Sequence, residues 1–597
     1  MGIPGLFKNI VTKIPQSHFW NKDLKIDFLF LDFNCFIYQA VPVIQKLKTW
    51  NFKLKKDNSD FEKALIKYII EATQELINNI VKPQRLVYIA FDGVPPLVKT
   101  LQQTERRTKR IWYQTFEKEY FPETYLENNS WDTNQVIPGT VFMTNLCKEF
   151  TKVINKGVFK KIDVIFSGVN VPGEAEHKFL PFIEKIKPNK DDVYCVYSND
   201  ADQIILLLRF PDKKFYILHN ITETIENKYP DEQKYIYLDV DKFSSEIFNL
   251  FDVNKKNVVN NVNNKNKKEK NLNDFLKDYI FLTFLEGNDF VNNIYYLKMK
   301  DDHMKTVMSI YKDIRFLRGS RLVRMKDGKL NINYSFMLEL LEKLTERESQ
   351  GFYAYKSKIE RVLRFGGRRS NNKDNEDLTM STMEHTYFYD KKNPLFKDYM
   401  KQWNYVFSDL NMSVFKPKYY KHFFGEDYNI DAICKEYFEV LIFNLRYYFG
   451  EKIYWRFQYD ARVAPIPSDL YQYLLKNPDI FEKLQFKDEE PLPPIMLLMY
   501  VLPAQNSDFL PDKVAHLRTK ELKEYYPDNI KLDFLTGSKL IYVKPLLKHI
   551  PMDKLEKVYN EAKKTLNKAE KERNAVDLAP LVYRGGVSTN NLNVYTH

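Results

Sequence analysis

The stretch LVYIAFDGVPPLVKTLQQTERRTKR, residues 86–110, reads as a strand, a sharp turn and a helix in immediate succession. Its apolar run, LVYIAF, is rich in β-branched and aromatic residues, the composition of a buried strand. Gly93 and the pair Pro95–Pro96 break that strand, and proline in a first turn starts a helix well. At 3.6 residues per turn, Lys99, Gln103, Arg106, Arg107 and Arg110 fall within one arc of about 100°. A basic helix face therefore begins just beyond a strand-end carboxylate, Asp92. Most such faces are only solvated; this one draws interest because Asp92 has company.

The same grammar recurs outward from that stretch. FLFLDFN (28–34), DVIFSG (163–168) and DVYCVYSND (192–200) are short apolar runs, each followed by a turn signal and a helical segment. Continuous apolar strands alternating with helices predict an α/β fold, a parallel or mixed sheet flanked by helices. Sites in such sheets form at the carboxyl ends of the strands. Asp32, Asp92, Asp200 and Asp202 stand there, and VPGEAEHK (171–178) adds Glu174 and Glu176 after a Pro-Gly turn. DFLKDYIFLTFLEGNDFV (274–291) reads as a helix broken at Gly287 that presents Asp289. One strand-end acid is commonly a helix cap. Seven at one mouth would repel one another unless cations neutralised them, and hard divalent ions, Mg²⁺ or Mn²⁺ in its place, suit oxygen ligands. That pattern points to two-metal phosphodiester hydrolysis, with ions roughly 3.5–4 Å apart.

At 597 residues the chain exceeds one ordinary core. We expect a nuclease-type domain over 1–365, a mobile Asn/Lys-rich insertion at 254–273, a linker at 366–385 and a mainly helical, aromatic-rich domain over 386–597. The last includes DAICKEYFEVLIFNLRYYFG (431–450) and YWRFQYDARVAPIPSDL (454–470), where aromatic and basic residues interleave as base stacking and phosphate contact require. Core packing is the simpler reading for most of those aromatics. A formal net charge of +12 suits a polyanionic partner. The four cysteines lie far apart with no CxxC, which excludes a zinc ribbon and fits reducing surroundings. The run from Ile26 to Ile44 is interrupted by Asp27, Asp32, Asn34 and Gln39, so no membrane span is expected. The sequence has no Walker-type glycine loop and no GxSxG elbow, and no nucleotide cofactor is expected.

Several motifs together resemble the Xrn-type 5′→3′ exoribonucleases along nearly the whole chain. MGIPGLF (1–7), LDFNCFIY (31–38), FDGVPPLVKTLQQTERR (91–107), IPGTVFM (137–143), VPGEAEHK, SNDADQIILL (198–207) and FLEGNDF (284–290) follow in that family's order. WRFQYDARVAPIPSDL (455–470), LMYVLPAQNSDFLP (498–511), YYPDNIKLDFLTGSKLIYVKPLL (525–547) and EKERNAV (570–576) resemble its second region. The resemblance implies a compact member without the long C-terminal extension, and a sheet-based nuclease fold of the PIN or flap-nuclease kind. It implies that Asp32, Asp92, Glu174, Glu176, Asp200, Asp202 and Asp289 are the catalytic acids that bind Mg²⁺. Lys99, Gln103, Arg106 and Arg107 match the pocket for a 5′-monophosphate. Tyr38, in place of a histidine, and Trp455 match the pair that stacks the first bases.

The activity so implied is processive hydrolysis of 5′-monophosphorylated single-stranded RNA to nucleoside 5′-monophosphates. It would serve RNA decay and be carried out by an intracellular monomer, in the cytoplasm rather than the nucleus. Two rivals come from other classes. A flap-endonuclease-like enzyme acting on DNA would carry a GxG hairpin after the last acid, where this chain reads NNIYYLKMKDDH (292–303). A non-catalytic RNA-binding scaffold would be expected to have lost some of the seven acids.

Overall fold

The computed structural model describes residues 14, 17–52, 55–120, 122, 130–159, 162–186, 189, 191–200, 202–221, 234–251, 264–297, 303–365, 391–537, 540–584 and 587–589. Its central sheet is built from β1 (His18–Phe19), β2 (Phe28–Asp32), β3 (Leu86–Ala90), β4 (Asp163–Ser167), β5 (Val193–Tyr197), β6 (Lys214–Asn220), β7 (Tyr235–Asp239), β8 (Leu581–Arg584) and β9 (Val587–Thr589). Their order is β1-β7-β6-β5-β2-β3-β4-β8-β9. The middle strands, β6 to β4, run parallel, and antiparallel strands edge them on both sides, so the sheet is mixed.

The apolar runs are continuous because both faces of the sheet are covered. Phe28 and Phe30 of β2 enter one core and Leu29 and Leu31 the other. Leu86, Tyr88 and Ala90 of β3 divide from Val87 and Ile89 in the same way. Side chains alternate faces along a strand, so an apolar residue at every position is what two buried faces demand. Burying each Leu or Phe fully contributes roughly 1.5–3 kcal/mol.

Six helices frame the site: α1 (Asn34–Gln45), α2 (Leu97–Tyr120), α3 (Ala175–Lys185), α4 (Asp202–Leu207), α5 (Asn264–Thr283) and α6 (Ile430–Tyr448). The first four each start shortly after a strand of the parallel set. The second half of the chain is mainly helical and rich in buried aromatics, as α6 illustrates with Tyr437, Phe438, Phe443, Tyr447 and Tyr448. Among the described residues, no helix is long and apolar enough to cross a membrane.

The segment read as a linker, 366–385, and the opening MGIPGLF lie outside the described residues. Residues 254–263 of the Asn/Lys-rich stretch do too, but α5 starts at Asn264, within that stretch rather than after it. The two parts of the chain are not independent cores. Phe30 and Ile165 share one buried cluster with Phe443 and Leu535, and β8, from near the C-terminal end, pairs with β4. A strand on the open edge of a sheet leaves backbone groups unpaired, and β8 covers that edge.

Candidate active site

Neighbouring strands β5, β2 and β3 end side by side, and their carboxyl ends bring the acids together. Asp32 is the last residue of β2, Asp92 lies two residues beyond β3, and Asp200 lies beyond β5. Glu174 is the N-cap residue of α3 and Glu176 sits in its first turn. Two reciprocal backbone hydrogen bonds zip the loop after β3 to the turn before α3: Gly93 N–H donates to Gly173 O and Gly173 N–H donates to Val94 O, each at 2.8 Å. A Cβ on Gly93 would lie 1.9 Å from the Val171 carbonyl oxygen, so this crossing requires glycine. Gly173 takes φ +104°, the other reason for the Pro-Gly turn. The buried Lys178 ammonium ties the same loops together through the Phe91 and Gly168 carbonyls.

Each acid is held. Asn34 Nδ2 donates to Asp92 Oδ2 at 2.7 Å, and the other Asp92 oxygen accepts the Ala175 N–H at 2.8 Å. Ser198 Oγ donates to Asp32 Oδ2 at 2.9 Å and accepts the Asp200 N–H at 3.0 Å. Asp202 N–H donates to Asp200 Oδ1 at 3.1 Å. Glu174 Oε1 faces the Lys99 ammonium at 2.9 Å, and Glu174 Oε2 accepts the Tyr447 hydroxyl at 3.1 Å. Asp289 accepts from both Lys99 and Gln102.

Burial and mutual repulsion connect the acids into one network. Burial, then Asp92, pushes the Asp32 carboxyl up to about 8. Burial raises Glu176 well above the usual carboxylate range, with Glu174, Asp32 and Asp92 adding to it. Asp202 is raised by burial and then by Asp200 and Asp289. For Asp289, burial is outweighed by the Lys99 ammonium, with hydrogen bonds from Lys99 and Gln102, and the carboxyl is held low.

The donor set fits a hard cation. One carboxylate oxygen each from Asp32, Asp92 and Glu176 lie within 4.8 Å of one another, as do ligand atoms of Glu174, Glu176 and His177, with Glu176 common to both groups. Oxygen donors in a buried, overcharged cluster are what Mg²⁺ or Mn²⁺ requires. Asp200, Asp202 and Asp289 join through electrostatic coupling rather than as members of those triplets.

The basic face of α2 divides. Lys99 turns into the acids, Arg106 is exposed, and Gln103 is half-buried with its amide oxygen unpartnered. Arg107 is buried, 3.4 Å from Asn134 Oδ1 and hydrogen-bonded to Tyr38, with its Nε unpartnered. Tyr38 is 42% exposed. The carbonyl of Trp455 accepts the Leu97 N–H at 2.7 Å, at the first residue of α2, and its indole packs against Gly173. Of its aromatic neighbours, Phe457 stacks on Phe443 and Tyr459 is buried, while Arg462 pairs with Asp533, so these serve the core.

The sequence family described as XRN 5'-3' exonuclease N-terminus matches residues 1–221, and the one described as Xrn1 helical domain matches residues 269–405 and 409–592. The chain belongs to the Xrn family. It is 24% identical to human 5'-3' exoribonuclease 1 over 96% of this chain and 35% of that protein. Chicken 5'-3' exoribonuclease 2 is 23% identical over 96% of this chain and 68% of that protein, and fission yeast 5'-3' exoribonuclease 1 is 24% identical over 98% and 50%. The chain thus spans about a third of the human relative's length.

Four members of this Xrn site escaped the sequence reading. Asn34 and Ser198 were within reach, since each lies two residues from an acid, inside LDFN and SND. Gln102 is the other half of a Gln-Gln pair; about 100° around the helix from Gln103, it reaches Asp289. Tyr447 gave no signal, because its partner Glu174 is remote in the chain and an aromatic on an apolar helix reads as core.

Proposed function

We propose that this chain is a processive 5′→3′ exoribonuclease that hydrolyses 5′-monophosphorylated single-stranded RNA to nucleoside 5′-monophosphates. The observation that carries the reading is the joining of seven acids, from five separate segments, into one buried network at the start of a basic helix. Asp32, Asp92 and Glu176 would hold one divalent ion, and Glu174, Asp200, Asp202 and Asp289 would serve a second. When bound, a pair of Mg²⁺ ions, or Mn²⁺ in its place, supplies a hydroxide nucleophile and neutralises charge on the leaving oxygen.

The chain's own side chains supply the rest. Arg107, with Arg106 and Gln103 on the same helix, would receive the 5′-phosphate, while Lys99, expected in that pocket from the sequence, is engaged by Glu174 and Asp289. A buried guanidinium with an unpartnered Nε has a hydrogen bond to give. Burial pulls Arg107 down to about 10, which leaves it charged at neutral pH. Tyr38, hydrogen-bonded to Arg107, and Trp455, beside Gly173, are aromatic faces near that helix, and they would stack the terminal bases. Four free thiols suit a reducing, intracellular setting, and we propose that the enzyme works there in RNA decay as a monomer.

The direct test is digestion of end-labelled RNA and DNA bearing 5′-monophosphate, 5′-hydroxyl or 5′-triphosphate groups. Release of mononucleotides from the 5′ end of monophosphorylated RNA alone is the expected result. Internal cuts, or equal attack on DNA, would replace this reading with a flap-type nuclease.

A further inference from the structure

Adjacent residues on an α-helix point about 100° apart and ordinarily serve different surroundings. At the end of α6 this divergence sends two consecutive tyrosines to two different acid-bearing loops. The Tyr447 hydroxyl donates to Glu174 Oε2 at 3.1 Å, and its ring stacks on His177 with centroids 3.6 Å apart. The Tyr448 hydroxyl accepts from Asn288 Nδ2 at 3.1 Å. The Asn288 side-chain oxygen accepts the N–H groups of Phe290 and Val291, each at 2.9 Å, and so clamps the backbone around Asp289. Both rings are buried, and Arg209 anchors the helix end by donating to the Tyr448 carbonyl at 2.9 Å.

A buried tyrosine hydroxyl needs some partner, and a backbone carbonyl would serve. Here the partner is one oxygen of a carboxylate whose other oxygen already faces Lys99, so the two contacts together fix the plane of the Glu174 carboxylate.

We propose that Tyr447 and Tyr448 are positioning residues for the metal site, through which the helical second half of the chain sets the geometry of Glu174 and Asp289. This rests on the reading of those acids as metal ligands. Groups that orient metal ligands typically cost ten- to a hundredfold in metal affinity or activity when removed. Tyr447→Phe keeps the ring and its stacking on His177 and deletes only the hydroxyl that touches Glu174.

The experiment measures Mn²⁺ binding to the full chain by calorimetry and by electron paramagnetic resonance, without RNA, for the wild type and for Tyr447→Phe, Tyr448→Phe and Asp32→Asn. Thermal melts in EDTA report folding. Tyr447→Phe should weaken Mn²⁺ binding roughly tenfold or more and change the Mn²⁺ line shape, with its melt in EDTA within a few degrees of wild type. If that variant fails to fold, Tyr448→Phe carries the same expectation. Wild-type Mn²⁺ affinity in both tyrosine variants, with Asp32→Asn impaired, overturns the positioning role and leaves the metal reading standing. Wild-type affinity in Asp32→Asn as well would bring down the metal reading and this proposal together.

Discussion

The Lys99 ammonium lies 2.9 Å from Glu174 Oε1, with only 12% and 10% of the two side chains exposed, and the same ammonium contacts Asp289. Burial alone would lower the Lys99 pKa, but these two carboxylates raise it well above its ordinary value. The protein thus carries its own cation inside a cluster of acids. That charge offsets part of the repulsion among the acids, acting on Glu176 and Asp202 as well as on its two direct partners.

Replacing it should therefore be costly in a conditional way. Breaking a buried ion pair by removing one partner costs about 3–5 kcal/mol. Lys99→Met should lower the Tm measured in EDTA by several degrees, and millimolar Mn²⁺ should recover much of the loss by supplying the missing charge. An unchanged Tm in EDTA would mean that Lys99 does not balance the acids.

Asp32 contributes to the pH dependence of the protein in EDTA. Its folded-state pKa is raised from 3.8 to about 8, so the folded form holds a proton that the unfolded form has already lost. The associated stability is full below about pH 4 and is lost as pH rises through about 8. In EDTA the Tm should fall between pH 6 and pH 8.5, and Asp32→Asn, which cannot ionise, should flatten that slope. A steeper slope in Asp32→Asn would reverse the assignment.

How much of this could be read without coordinates depends on range. Apolar strands alternating with helices and strand-end acids are local patterns, and Asp32, Asp92, Glu174, Glu176, Asp200, Asp202 and Asp289 could be singled out because they lie at five turn signals. Which acids would touch was not legible, since that depends on Gly93 and Gly173 crossing at hydrogen-bond distance. The helical wheel placed Lys99 and Arg107 on one arc but gave no depth. In space Lys99 reaches into the acids while Arg107, about two turns further along α2, packs near Asn134. The tie from Tyr447 to Glu174 and the β4–β8 pairing link remote parts of the chain, and no local pattern reports such links.

Asp202→Ala should abolish hydrolysis in Mg²⁺ while RNA binding survives, because it removes a buried acid coupled to Asp200 and Asp289 and leaves the basic helix intact. Single-turnover assays paired with filter binding check this. Wild-type turnover by the purified variant would take Asp202 out of the site.

Tyr38→Ala and Trp455→Ala should each shorten the run length on long RNA, since stacking one base on an aromatic ring contributes roughly 1–3 kcal/mol. Product distributions with an RNA trap present reveal early release as accumulating intermediates. Full-length digestion without intermediates by both variants would make these rings packing elements only.

The measurement that bears most directly on the account compares 5′-monophosphate with 5′-hydroxyl RNA for the wild type and Arg107→Ala. Hydrogen bonds to charged groups contribute about 1.5–3 kcal/mol, so the variant should lose roughly ten- to a hundredfold in kcat/KM on the monophosphate substrate. It should barely change on the already slow 5′-hydroxyl substrate, which never makes the contact. Equal losses on both substrates, shared with rising salt, would contradict a phosphate pocket and reduce the α2 arginines to a general basic surface.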